Sequence, residues 1–245
     1  MESDVSHPDK LGTVPSALRL VELLRAGPAD QQLSELARRA GLTLQTVFRL
    51  LRSLTVSGLV AKDPDAPLYS LGPEFIRLSQ HYLMRQPVVQ ALSPYLAQVR
   101  DATGATIQVA LLSGDSVVYV DRVDGAHTNG LYRISHRVHP ALDTAAGRIL
   151  LARADLDVWN QATDGSVTIE QRNDWAQSLY LALADPYIPD SVEVAVPVTD
   201  ERGRALASLS ATDCRERFPP DVITESVVPH LLRATQAVRH TANRT

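Results

Sequence analysis

Residues 33–60 read LSELARRAGLTLQTVFRLLRSLTVSGLV, and the spacing of the apolar side chains in this stretch decides the fold of the first part of the chain. Leu33, Leu36, Ala37 and Ala40 recur at intervals of three and four, which predicts a short helix, and Gly41 stands where such a helix needs a left-handed residue to end it. Thr43 is placed to cap a further helix that buries Val47, Leu50, Leu51 and Leu54, until Gly58 stops it. The outer face of that helix carries Gln45, Thr46, Phe48, Arg49, Arg52 and Ser53. Two helices joined by a short turn containing Gly, the second with a polar and basic outer face, form a helix-turn-helix.

Upstream, residues 15–26 have helical spacing and end at Gly27-Pro28. Downstream, Leu59-Val-Ala-Lys62 and Leu68-Tyr-Ser-Leu71 flank Asp-Pro-Asp-Ala-Pro, the pattern of a β-hairpin, so the unit reads as a winged helix. The alternative is a plain helical hairpin in a larger bundle. Charge separates the two. Over 245 residues the formal net charge is −4, which taken whole argues against a nucleic-acid partner. Between Leu11 and Lys62, however, seven basic residues face three acids, giving +4, while residues 88–245 carry −5. A basic N-terminal unit joined to an acidic C-terminal one indicates that the first meets a polyanion.

In that setting Gln45 and Arg49 suit base edges in the major groove, and Thr43, Thr46, Arg52 and Lys62 suit phosphates. Arg38 and Arg39 end a helix, where they serve DNA or simply complement the helix dipole. Phe48 either touches a thymine methyl or packs against the wing.

The run Ala40–Val60, followed by Tyr69-Ser-Leu-Gly72, resembles the DNA-binding half of the IclR family of bacterial transcriptional regulators over most of residues 14–80. The wing ending in Tyr-x-Leu-Gly is the most diagnostic part. The helix begins with Leu44-Gln45, where the family commonly has a Pro or a basic residue.

Residues 73–85 are helical in pattern and Pro87 separates them from a second helix ending near Thr103. Strands are expected at 106–113 and 116–121 around Gly114-Asp115, near 131–134, at 193–198 and at 204–212; helices are expected at 144–154, 168–184 and 220–241. Strand pairs with interspersed helices and no βαβ alternation indicate α+β with a mostly antiparallel sheet. The expected organisation is a winged helix-turn-helix over 11–72, a linker helix over 73–87 and a second domain over 88–245. Three elements extend the resemblance to a GAF-like effector-binding domain: Val117–Val123, Pro140–Ala152 and Val194–Ser210. The second has Ala141-Leu142 and Gly147-Arg148 where the family usually reads Leu-His and Gly-Lys.

The resemblance implies effector contacts on strand 204–212, at the start of the helix bearing Ala145 and Ala146, and near Glu193, with Tyr119 beside them. Alternation places Leu206, Ser208, Ser210 and Thr212 on one face of that strand. Those hydroxyls either meet a ligand or lie on an open, solvated sheet face. Arg133, near His136 and His139, is placed to hold a carboxylate or to sit in a solvated basic loop. The family precedent implies a regulator of a catabolic operon, a repressor before an activator, sensing an organic acid or aromatic metabolite. It also implies a homodimer or dimer of dimers on a pseudo-palindromic operator in double-stranded DNA.

The rival is a cytoplasmic enzyme with an accessory winged helix. No nucleophile elbow, phosphate loop, dinucleotide fingerprint or His-based metal pattern occurs, so no catalytic residue, cofactor or metal is expected. Cys214 is the only cysteine, which excludes intrachain disulfides. It sits beside Arg215 as a redox thiolate or as a packed side chain. Without an apolar run of membrane-spanning length or a signal-like start, the expected location is the cytoplasm.

Overall fold

The computed structural model describes residues 12–126 and 137–238. The chain divides into two compact units with the boundary between Tyr82 and Leu83. The boundary falls inside the connector expected over 73–87.

The first unit holds α1 (Thr13–Ala26), β1 (Gln31–Gln32), α2 (Leu33–Ala40), α3 (Leu44–Val56), β2 (Val60–Lys62), β3 (Leu68–Leu71) and α4 (Glu74–Leu83, of which Leu83 opens the second unit). Gly41 ends α2 at φ 69°, a backbone that only glycine adopts without strain. Thr43 caps α3 by accepting a hydrogen bond from the Thr46 amide at 3.2 Å. Leu20 and Leu24 from α1, Leu36 from α2, Val47, Leu50 and Leu51 from α3, and Tyr69 from the wing share one core. Burial of each large aliphatic side chain contributes about 2 kcal/mol. The wing has a third strand that sequence periodicity does not reveal: β1, two residues long, pairs with β3 through Gln31 and Tyr69.

The second unit is a six-stranded, wholly antiparallel sheet in the order β6-β5-β4-β9-β8-β7. Its strands are β4 (Thr106–Ser113), β5 (Ser116–Val123), β6 (Val138–Pro140), β7 (Leu181–Ala184), β8 (Ser191–Thr199) and β9 (Ala205–Cys214). One face packs against α5 (Pro87–Thr103) and the closing helix (Val228–Val238). The other is covered by α6 (Ala145–Leu151), which lies over Ala110, Val117, Tyr119 and Ala195. Trp159 of α7 (Leu156–Thr163) and Trp175 of α8 (Ile169–Gln177) meet edge to face at 6.0 Å beyond it. Arg153 joins these layers by donating to the carbonyls of Ile149, Trp175, Ala176 and Ser178.

Several expectations are corrected. The helix foreseen over 168–184 stops at Gln177, and Leu181–Ala184 becomes an edge strand on β8. Sheet pairing there overrides the helical preference of Leu and Ala. Helix α7 went unforeseen, and the strand expected near 131–134 lies outside the described residues. The closing segment contains a π turn at Ile223–Val227. The alternation along β9 also fails at one end: a bulge opposite Val198/Thr199 leaves Ala205 on the α6 side and turns Leu206 against the large core.

Candidate functional site

The first site is the outer face of α3. Gln45, Arg49 and Arg52 succeed one another at helical spacing and are exposed, and neither arginine makes an ion pair or hydrogen bond through its side chain among the described residues. Phe48 is 52% exposed on the same face. Thr43 is exposed and bonded to the half-buried Thr46 through their hydroxyls at 2.9 Å. Lys62 is exposed at the end of β2.

The two arginines of α2 differ from these. Arg38 is exposed but paired with Glu35 at 2.6 Å. Arg39 is half-buried and donates to Gln31 Oε1 at 2.7 Å. Gln31 is itself buried and donates to the carbonyls of Leu23 and Pro28. Arg39 thus belongs to the packing of the unit, and nothing in its local sequence announces that partner eight residues away.

The second site lies under α6. Glu193, fully buried on β8, accepts hydrogen bonds from Tyr119 Oη at 2.7 Å and from the amides of Ala145 and Ala146 at 2.7 and 3.3 Å. Thr144, not anticipated as part of the site, caps α6 through the Gly147 amide. Thr212 stands directly opposite Glu193, and Ser210 opposite Ala195 and Gln108, all on the face that α6 covers. Neither hydroxyl is solvated: Ser210 and Thr212 are 0% and 1% exposed, which overturns the open-face reading. Ser208 is likewise buried and donates to the Val196 carbonyl at 3.2 Å. Thr212 Oγ1 has no hydrogen-bond partner among the described residues. Ser210 lies near enough to Glu193 to favour its charged form, yet its Oγ makes no hydrogen bond of ordinary geometry. Tyr119 also meets His139 edge-on at 5.9 Å, and His139 stacks against Tyr187 at 4.0 Å. Arg133 and His136 lie outside the described residues.

Burial raises the Glu193 carboxyl above its ordinary value, against the pull of Tyr119, the Ala146 amide and Ser210. Burial, then the neighbouring Glu193 charge, pushes the Tyr119 phenol well above its ordinary value. Because the folded state holds the Glu193 proton more tightly than the unfolded chain, this residue favours folding at low pH. That contribution is lost as pH rises from the ordinary carboxylate value through the raised one. Tm measured from about pH 5 to about pH 8 is therefore expected to fall less in Glu193→Gln than in the wild type. A steeper fall in the variant would refute the assignment.

Comparison with known proteins places both sites in context. The model of the IclR helix-turn-helix domain matches residues 15–64, and that of the bacterial transcriptional regulator IclR C-terminal domain matches residues 80–174, together more than half of the chain. The HTH-type transcriptional regulator KdgR of Escherichia coli is 27% identical, over 95% of this chain and 91% of its own. Among solved structures, an IclR-type regulator from Silicibacter sp. TM1040 has a TM-score of 0.79 at 22% identity, covering 96% of this chain and 97% of its own. An IclR homologue from Microbacterium hydrocarbonoxydans, solved with 4-hydroxybenzoate, has a TM-score of 0.70 at 22% identity, covering 96% and 100%. The winged helix with the exposed basic outer face of α3, the antiparallel sheet under α6 and the two matched domain models lead to one conclusion: this chain belongs to the IclR family of helix-turn-helix transcriptional regulators.

Proposed function

We propose that the protein is a one-component repressor of a catabolic operon, whose winged helix binds a pseudo-palindromic operator and whose second unit senses a small metabolite. The observation that carries the DNA reading is the outer face of α3, where Gln45, Arg49 and Arg52 are exposed and both arginines lack a side-chain partner among the described residues. An arginine left unpaired on a helix of this kind suits guanine edges and phosphates. Arg52, Lys62, Thr43 and Thr46 would hold the backbone and fix the register.

A homodimer is supported by apolar side chains that the first unit leaves exposed. Val14 and Leu18 lie one turn apart on α1 at 67% and 60% exposure, and Ile76, Leu78 and Tyr82 are exposed on α4, which buries no residue. Such exposure is unusual on a monomer and suits a partner helix. The buried polar face under α6 is where a small effector would bind, and the solved relative's complex with 4-hydroxybenzoate supports an effector of that size. A ligand alters transcription only through unequal affinity for the DNA-competent and incompetent arrangements.

The test is a salt titration of the purified protein on duplexes that it selects from a random pool. With Arg52 and Lys62 contributing from each protomer, affinity is expected to fall roughly a hundredfold between about 50 and 200 mM salt. A flat salt dependence, or failure to enrich any sequence, would refute DNA readout. It would favour the reading of the winged helix as a protein-contact module on an enzyme.

A further inference from the structure

The face under α6 already contains an acid. Glu193 takes three hydrogen bonds, from Tyr119 and from the two backbone amides that open α6. A carboxylate offers about four lone-pair positions, so one remains. The amides that would receive an acidic ligand are in use, and they are used by a charge of the same sign. Asp185 lies close enough to raise both Glu193 and Tyr119 electrostatically, which adds negative charge to this face. Among the described residues, Arg122, brought to this face by its register opposite Gln108, is ion-paired with Asp124.

Opposite Glu193, the Thr212 hydroxyl is buried without a partner among the described residues. Buried hydroxyls rarely go unmatched, and this one belongs to the residue directly across the strand pair from Glu193. A ligand hydroxyl satisfies both at once, donating its proton to Glu193 and accepting one from Thr212. An incoming carboxylate has no proton to donate and, wherever Glu193 is ionised, meets it with like charge.

Resting on the reading of this face as the effector site, we propose that the end of the effector inserted here is an uncharged hydroxyl-bearing group, as in a polyol, a sugar or an aromatic alcohol, and not a carboxylate. This replaces the organic acid expected from family precedent with a class chosen by Glu193, Thr212 and the occupied α6 amides.

The experiment is a thermal-shift titration of the full chain with matched pairs that differ only at the inserted end: glucose with gluconate, glycerol with glycerate, benzyl alcohol with benzoate. At least one alcohol is expected to raise Tm saturably below about 10 mM, a range in which general polyol stabilisation is small. Its acid partner is expected to bind at least tenfold more weakly. Glu193→Gln should narrow that ratio by relieving the like charge. Thr212→Val, nearly isosteric, should weaken the alcohol. An acid that binds the wild type as tightly as its alcohol, or a set in which no alcohol binds, overturns the proposal. Alcohol binding unchanged in both variants overturns instead the placement of the effector under α6.

Discussion

Arg49→Ala is expected to cost from about fivefold to over a hundredfold in operator affinity per half-site, the loss of one bidentate contact to a guanine edge. In a symmetric dimer the residue is presented twice, so on a full palindrome the loss multiplies to between roughly 25-fold and over 10⁴-fold. Binding to a single half-site should show only its square root. Sequence preference should relax at one position of each half-site, while the salt dependence changes little compared with Arg52→Ala. Arg39→Ala is the contrasting case. Its guanidinium is spent on Gln31, so it should lower Tm and leave the selected sequence unchanged. Footprinting and selection from a random pool distinguish the two, and an unaltered preference in Arg49→Ala would remove α3 from base readout.

Gly147→Ala is expected to be the most damaging single methyl in the second unit. A Cβ at this position would sit 2.1 Å from the Ala141 carbonyl oxygen and 2.5 Å from its Cα, both backbone atoms that cannot swing away. Relief requires moving α6 off the segment before it, which pulls the Ala145 and Ala146 amides from Glu193. Overpacking of this kind, together with the lost hydrogen bonds to a buried carboxylate, is worth roughly 3 kcal/mol, or about 10 °C in Tm for a unit of this size. Gly165→Ala supplies the control: its φ is 74° but nothing lies within 4 Å, so only backbone strain of about 1 kcal/mol is expected. Equal destabilisation by the two substitutions would show that the close approach at Gly147 does not matter.

The winged helix was legible because its signals are local. Gly41, Thr43 and Gly58 punctuate helices whose apolar spacing is unbroken, and the Pro-rich pentapeptide marks the wing. The two-residue β1 was not, since so short a strand has no period to detect. In the second unit the hydroxyl alternation on β9 was visible, but its burial was not. Glu193 meets Tyr119 across 74 residues and Ala145 across 48, and no local pattern reports which helix will cover a sheet face. Leu206 failed for a related reason: a bulge shifts the side-chain phase without any change in composition. Segment 168–184 misled because Leu and Ala favour helix wherever no sheet edge competes.

Gln31 draws the reader of DNA together. Its backbone pairs with Tyr69 of the wing, its amide holds the end of α1, and its carbonyl oxygen receives Arg39 from α2. One residue thus fastens two helices and the wing into a single casting, and α3 is locked to it through the common core. Such a part has no joint at which its reading surface can be reshaped. On the proposed dimeric reading, a metabolite bound elsewhere in the protein would carry the whole casting toward the duplex or away from it, so the regulated quantity would be the spacing of two readers, not the letters that each reads.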